Sequence, residues 1–262
     1  MELKNLTLKV CDIAKEVGLF IKEECVKINA GHIETKSQNS LVTYVDKTAE
    51  KKIIDFLSEL IPDSGFIAEE GTSDKKGEVY NWVIDPLDGT TNFIHGIPTY
   101  CVSIALLKNK KLISGVIYEP NRDEMFYAWE NGGSYLNNTP ISVSSANKLS
   151  DSLLATGFPY YDYKRLEAYM DILKWLMHHS RGVRRIGSAA IDLAYVACGR
   201  FEAFYEYSLN PWDVAAGALI VAEAGGSVTD FQGGDNYLFG REIIASNKHM
   251  EAELLEKIKY SF

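Results

Sequence analysis

Trp82-Val83-Ile84-Asp85-Pro86-Leu87-Asp88-Gly89-Thr90-Thr91-Asn92-Phe93 is the stretch around which the chain is organised. Three apolar residues read as the end of a buried strand, and two carboxylates, a proline, a glycine and two hydroxyls follow at once. Pro86 fixes its own φ and narrows the conformations open to Asp85. Gly89 permits a tight turn or a close approach of backbone to a ligand. In such a turn Asp85 and Asp88 can face one side, with the Leu87 carbonyl between them. Thr90 and Thr91 open a short helical turn whose N–H groups suit a phosphate. Hard oxygen ligands beside an anion cradle point to divalent-metal and phosphoryl chemistry. A bare Asp-x-x-Asp-Gly also serves ordinary turns, so the weight rests on the whole stretch.

Composition narrows the class. The 262 residues suffice for one large domain or two small ones. A hydrophobic content of 46% is that of an ordinary globular protein. A net charge of −9 argues against direct binding of nucleic acid, while leaving room for a local basic patch at an anionic substrate. Cys11, Cys25, Cys101 and Cys198 are scattered, with no Cys-x-x-Cys pair, which predicts reduced core thiols in a cytoplasmic protein. No secretory leader or membrane span is predicted.

Patterning along the chain predicts the architecture. Leu3, Leu6, Val10, Ile13, Val17, Phe20 and Ile21 recur at helical spacing over residues 3–28. Residues 29–39 read as an exposed polar loop, and 42–60 as a second amphipathic helix with Asp46 in its first turn. Thr43-x-x-Asp46 is a capping-box pattern. Residues 65–68 read as a strand ending at Glu69-Glu70. After the central stretch, strands at 100–107, 112–119, 125–129 and 133–136 follow as an antiparallel sheet, with Lys108 to Lys111 as a solvated tip. Residues 1–145 are therefore helices on a mainly antiparallel sheet. Residues 146–262 alternate strand (153–157, 201–205, 243–245) and helix (163–177, 189–199, 212–224), which predicts an α/β half.

The central stretch resembles the first signature of the inositol monophosphatase family, magnesium-dependent and lithium-sensitive phosphatases. Trp212-Asp213-Val214-Ala215-Ala216 through Gly225-Gly226 is similar to its second signature, and Glu69-Glu70 stands where that family has an upstream acid pair. The resemblance implies a layered α-β-α-β-α sandwich, two or three Mg²⁺ ions, a small phosphate monoester as substrate, and a homodimer. It implies that Glu69, Asp85 and the Leu87 carbonyl hold one ion, and that Asp85, Asp88 and Asp213 hold a second. By the same likeness Thr90, Asp46 and Glu70 serve catalysis, the first two orienting the attacking water. Gly89 and Thr90 N–H groups hold the phosphate. Gly187, Ser188, Ala189 and Glu206 lie near the alcohol, whose hydroxyls Asp88 and Asp213 also reach, and Lys36 contacts phosphate or a metal-bound water. Plain structural roles stand beside these. Asp46, Asp213 and Ser188 fit helix caps, Lys36 a solvated loop, and Glu206 a surface charge.

Other chemistries fit less well. No cysteine is followed six residues later by arginine, and the acids are spaced Asp-x-x-Asp rather than Asp-x-Asp. This disfavours cysteine and aspartyl-phosphate nucleophiles. His95 is not needed as a base where a metal activates water. His178-His179 suit a helix end. Arg184-Arg185 fit a surface, a dimer contact or a substrate-side charge equally. The resulting expectation is hydrolysis of myo-inositol 1-phosphate without a phosphoenzyme. Fructose 1,6-bisphosphate, 3′-phosphoadenosine 5′-phosphate and histidinol phosphate are the alternative substrates within that resemblance. A regulatory scaffold binding the transcription machinery is the alternative of another class.

Overall fold

Two amphipathic helices start the molecule. In α1 (Leu3–Cys25) the residues Leu6, Val10, Ile13, Val17 and Ile21 are buried along one stripe. α2 (Tyr44–Leu60) buries Val45, Ala49, Ile53 and Leu57 in the same way. The computed structural model describes residues 2–27, 33–37, 40–159 and 162–262. Where an exposed loop was expected before α2, β1 (Ile33–Ser37) pairs antiparallel with β2 (Ser40–Thr43). The side chain of Lys36 lies outside the described residues. Ile33-Glu34-Thr35-Lys36 alternates β-branched with polar residues and Leu41-Val42-Thr43 favours a strand, a signal that the Gly31 break obscured.

A seven-stranded sheet follows in the order β3-β4-β5-β6-β7-β8-β9. Its strands are β3 (Gly65–Ala68), β4 (Tyr80–Asp88), β5 (Cys101–Lys108), β6 (Lys111–Glu119), β7 (Glu124–Trp129), β8 (Ser134–Leu136) and β9 (Thr139–Ile141). Only β3 and β4 are parallel, so the sheet is mainly antiparallel, as expected. A second sheet runs β11-β10-β12-β14-β13. It contains β10 (Leu153–Thr156), β11 (Gly182–Arg184), β12 (Ala203–Tyr207), β13 (Ser227–Thr229) and β14 (Glu242–Ser246).

The helices complete five layers. α1 and α2 cover one face of the first sheet, meeting Trp82, Ile84, Val102, Ile104 and Val116. α5 (Ala189–Ala197) and α6 (Pro211–Glu223) lie between the sheets, against Val83, Ala105 and Ile117 on one side and Phe204 and Ile243 on the other. Ala-Ala-Ile-Asp-Leu-Ala-Tyr-Val-Ala and Val-Ala-Ala-Gly-Ala-Leu-Ile-Val are apolar nearly all round, as a helix enclosed on both sides must be. α4 (Leu166–His179) and α7 (Glu251–Ser261) cover the outer face of the second sheet. The α-β-α-β-α sandwich is thus observed. Cys11 and Cys101 are buried, Cys25 and Cys198 partly so, and all four are free thiols. Among the described residues no helix is long and apolar enough to cross a membrane.

Candidate active site

Strand parity aims the first acid. Trp82 and Ile84 face α1 and α2, so Val83 and Asp85 face the central helices. β4 does not stop at Ile84, as the apolar run suggested. It continues to Asp88 through an irregularity between Asp85 and Asp88, where pairing with β5 shifts register. Leu87 therefore turns into the helix-covered core while its N–H donates to Asp85 Oδ1 at 2.9 Å. Gly89 follows with φ +97° and caps α3 (Thr90–Ile94). A Cβ at Gly89 would lie 3.0 Å from the Thr99 carbonyl, so both the φ and the space require glycine. Asn92, buried, donates to the Thr99 and Ile186 carbonyls at 2.8 and 3.0 Å and ties this turn to the second half.

Glu69, Asp85, Leu87, Asp88, Gly89, Thr90, Gly187, Ser188, Ala189, Glu206 and Asp213 all line one cleft. Asp46, Glu70 and His95 do not line it. Asp46 stands behind it, where it caps α2 and also meets the Thr90 hydroxyl. Its Oδ2 accepts from the Thr43 N–H and hydroxyl at 2.8 and 2.7 Å, while Oδ1 lies 3.2 Å from the Thr90 hydroxyl. The same hydroxyl is 2.9 Å from the Leu87 carbonyl. Asp213 likewise accepts from the Asn210 N–H at 2.7 Å, closing a capping box at the start of α6, and still faces the other acids. Asp88 Oδ2 accepts from the Ser188 hydroxyl at 2.6 Å and the Ala190 N–H at 2.7 Å. The start of α5 is thereby anchored to the end of β4.

Electrostatics separates the acids. Burial, then the charges of Glu69, Asp88 and Asp213, push Asp85 well above the usual carboxylate range. Burial and the charge of Asp88 raise Asp213 to about 7, against its bonds to Asn210 and the charge of Arg241. Burial raises Asp88 to about 6, opposed by Ser188, the Ala190 N–H and Arg185. Glu206 is raised by burial and Asp213 and lowered by Arg185. Asp46 is raised by burial, opposed by Thr43 and Thr90.

The donor set fits a hard divalent cation. Its side chains offer oxygen only, and the mutual repulsion at Asp85 is what a cation would relieve. Among the described residues no three acids are already closed around one point, so a cation would draw neighbouring carboxylates together rather than enter a finished cage.

Gly157, Asp192 and Ser208 line the cleft outside both motifs, and Arg185 joins them there. Gly157 follows β10, and a Cβ there would lie 2.0 Å from Glu206 Oε2, so the carboxylate rests directly on its backbone. Asp192, 1% exposed with Oδ1 unpartnered, is the lone acid of apolar α5, and that isolation is a signal the sequence does offer. Ser208 has φ +70°, and nothing in its neighbourhood announces that conformation. Arg185 lines the cleft, whereas Arg184 is exposed on β11.

The inositol monophosphatase family model matches residues 2–261. The putative Nus factor SuhB of Neisseria meningitidis serogroup B is 40% identical over 246 residues, 94% of each chain. The inositol-1-monophosphatase of Mesorhizobium japonicum is 37% identical over 247 residues, 94% of this chain and 93% of that one. The crystal structure of extragenic suppressor protein suhB from Bartonella henselae superposes with a TM-score of 0.92 at 39% identity, covering 97% of this chain and 99% of that one.

Proposed function

We propose, since the chain belongs to the inositol monophosphatase family and is a phosphatase, that it hydrolyses myo-inositol 1-phosphate or a close polyol phosphate with magnesium. The observation that carries this reading is the enclosure of Asp85 beside Glu69, Asp88 and Asp213, in the same cleft as Gly89, Thr90 and Glu206. Glu69, Asp85, Asp88, Asp213 and the Leu87 carbonyl would hold the ions, two or three in number. Bound magnesium would lower the pKa of a water and stabilise charge on the phosphoryl oxygens.

The chain's own groups do the rest. Gly89 and Thr90 N–H groups, at the start of α3, receive the phosphate. The Thr90 hydroxyl, held between Asp46 and the Leu87 carbonyl, donates its own proton to Asp46 Oδ1 and orients the attacking water by accepting a hydrogen bond from it. Glu70 supports Glu69 from behind. Gly187, Ser188, Ala189, Glu206, Asp88 and Asp213 receive the alcohol, whose hydroxyls suit carboxylate acceptors.

The chain divides near residue 145, between β9 and β10, so that each half supplies one wall. A cytoplasmic homodimer is part of the proposal, and exposed Met170 and Met177, a heptad apart on α4, offer apolar surface for the second copy. The names of the Nus factor relatives support a second reading, a role with the transcription machinery that needs no turnover.

Phosphate release should be measured on myo-inositol 1-phosphate, fructose 1,6-bisphosphate, 3′-phosphoadenosine 5′-phosphate and histidinol phosphate, each with Mg²⁺ and with chelator. Magnesium-dependent preference for the inositol ester is the expected result. Preference for another ester would overturn the roles given to Glu206 and Ser188. No turnover of any ester would leave the transcription role as the function.

A further inference from the structure

Glu50 is a charged side chain in the wrong place. It lies on the core-facing side of α2, between buried Ala49 and Ile53, and its exposure is 0%. A carboxylate is seldom enclosed without specific partners. Its partners all come from one short segment twenty residues away. Oε2 accepts from the Glu70 N–H at 2.7 Å. Oε1 accepts from the Thr72 N–H and the Thr72 hydroxyl, each at 2.8 Å. Both oxygens are thus spent on the loop that leaves β3, which turns at Gly71 with φ +66°.

That loop carries Glu69. The Glu69 N–H donates to the Ile84 carbonyl at 3.2 Å, and its carboxyl lies against Asp85. Four residues earlier on the same face of α2, Asp46 faces the Thr90 hydroxyl. One helix therefore grips two separate segments of the acid cluster, the end of β3 through Glu50 and the turn after β4 through Asp46. Glu50 itself does not line the cleft.

We infer that Glu50 is a positioning residue, holding the Glu69–Thr72 loop so that Glu69 stays within joint reach of a cation with Asp85. The inference rests on the metal-dependent reading above and adds a residue to it. A neutral amide of the same shape keeps one acceptor but sets its NH₂ against an N–H donor, so one bond becomes a repulsion. The loop then drifts, and the cost falls on cation binding before it falls on chemistry at saturating metal.

The test titrates Mn²⁺ alone into the full chain by calorimetry or electron paramagnetic resonance. Glu50→Gln is expected to weaken Mn²⁺ binding about 10–100-fold, the range for residues that orient ligands from behind. The substrate KM at saturating Mg²⁺ should stay close to that of the parent chain. Thr72→Val removes one bond from an exposed residue and guards against a misfolded first variant. It should weaken Mn²⁺ binding in the same direction by less, and Thr72→Ser should restore it. Unchanged Mn²⁺ affinity in both Glu50→Gln and Thr72→Val, with a lowered melting temperature, would overturn the inference and leave Glu50 a loop anchor. A parent chain that binds no Mn²⁺ would overturn it too. A parent chain that binds Mn²⁺ but hydrolyses no ester would sink the hydrolase reading, while the variants' Mn²⁺ affinities still judge Glu50.

Discussion

Asp85, near the end of β4, and Glu206, in β12, are both enclosed carboxylates lining one cleft, and burial is the first cause of the raised pKa of each. Their neighbours differ. Asp85 is surrounded by Glu69, Asp88 and Asp213, with no opposing charge among its main influences. Glu206 has Arg185 beside it, and so has Asp192. On the first wall Asp85 lacks a counter-charge, which a divalent ion would supply. The second wall brings its own. Asp88 stands between them, close to Arg185 and hydrogen-bonded to the start of α5. Carboxyl groups of one cleft therefore sit in two electrostatic settings, one among like charges and one beside an arginine.

If the walls differ in this way, substitutions in them should fail differently. The largest effect is expected from Asp85→Asn. Phosphate release should fall by more than the roughly 10–100-fold typical of an outer residue. The melting temperature at pH 8 should hold or rise, because an enclosed acid among like charges is removed. Activity retained in this variant would erase the distinction between the walls.

The second effect concerns pH. Asp213 at about 7 and Asp88 at about 6 hold protons that a bound cation must displace. Mg²⁺ affinity should therefore rise from pH 5.5 to 8, by up to about tenfold per pH unit for each proton released. Calorimetry in two buffers of different ionisation enthalpy counts those protons, and a pH-independent affinity would contradict the picture.

On the second wall, Glu206→Gln should raise the substrate KM about tenfold, in line with roughly 1.5 kcal/mol for a hydrogen bond to a charged group. Magnesium dependence should not change. Gly157→Ala should move KM in the same direction, since its Cβ would displace the Glu206 carboxylate. A change in magnesium affinity instead would merge the two walls into one.

The smallest effect is expected from Asp192→Asn. Burial, Glu206 and Asp88 raise the Asp192 pKa well above its usual value, Arg185 notwithstanding. Below the ordinary aspartate pKa, folded and unfolded chains both hold this proton and the residue costs nothing. As pH rises through the interval up to the raised pKa, the unfolded chain releases the proton first, and stability is lost. The variant should therefore melt higher than the parent at pH 8, by about 2–4 °C for each 1 kcal/mol relieved. The gap should close toward pH 4, and scanning calorimetry at the two pH values checks it.

Much of this was legible in the chain. Helical spacing announced α1 and α2, and the apolar runs announced β5 to β8 within a residue or two. The two dense motifs, at Asp85–Phe93 and Trp212–Gly226, marked the lining acids Asp85, Asp88 and Asp213. The path of β4 was less legible, because a strand that carries Asp-Pro-Leu-Asp looks like its own end. The β1–β2 hairpin was hidden by polar composition, and β9, β13 and α7 are short or weakly patterned. Asp46 and Asp213 looked like a choice between cap and site. The cap does not use up either group, because Asp46 spends one oxygen on its cap and turns the other to Thr90, and Asp213 both caps α6 and faces the cluster.

By itself the sequence determined which side chains carry charge, where glycine must stand, and that oxygen rather than sulfur or imidazole would dominate the cleft. Those are local properties, written in residue type and spacing. Only the tertiary structure decided which acids crowd one another and which share Arg185, that Gly157 makes room for Glu206, and that Glu50 grips the loop after β3. Each of these joins residues from 20 to 100 positions apart, or sets a carboxylate against another strand's backbone. Contacts of that kind depend on strand parity and layer packing, which no local pattern encodes.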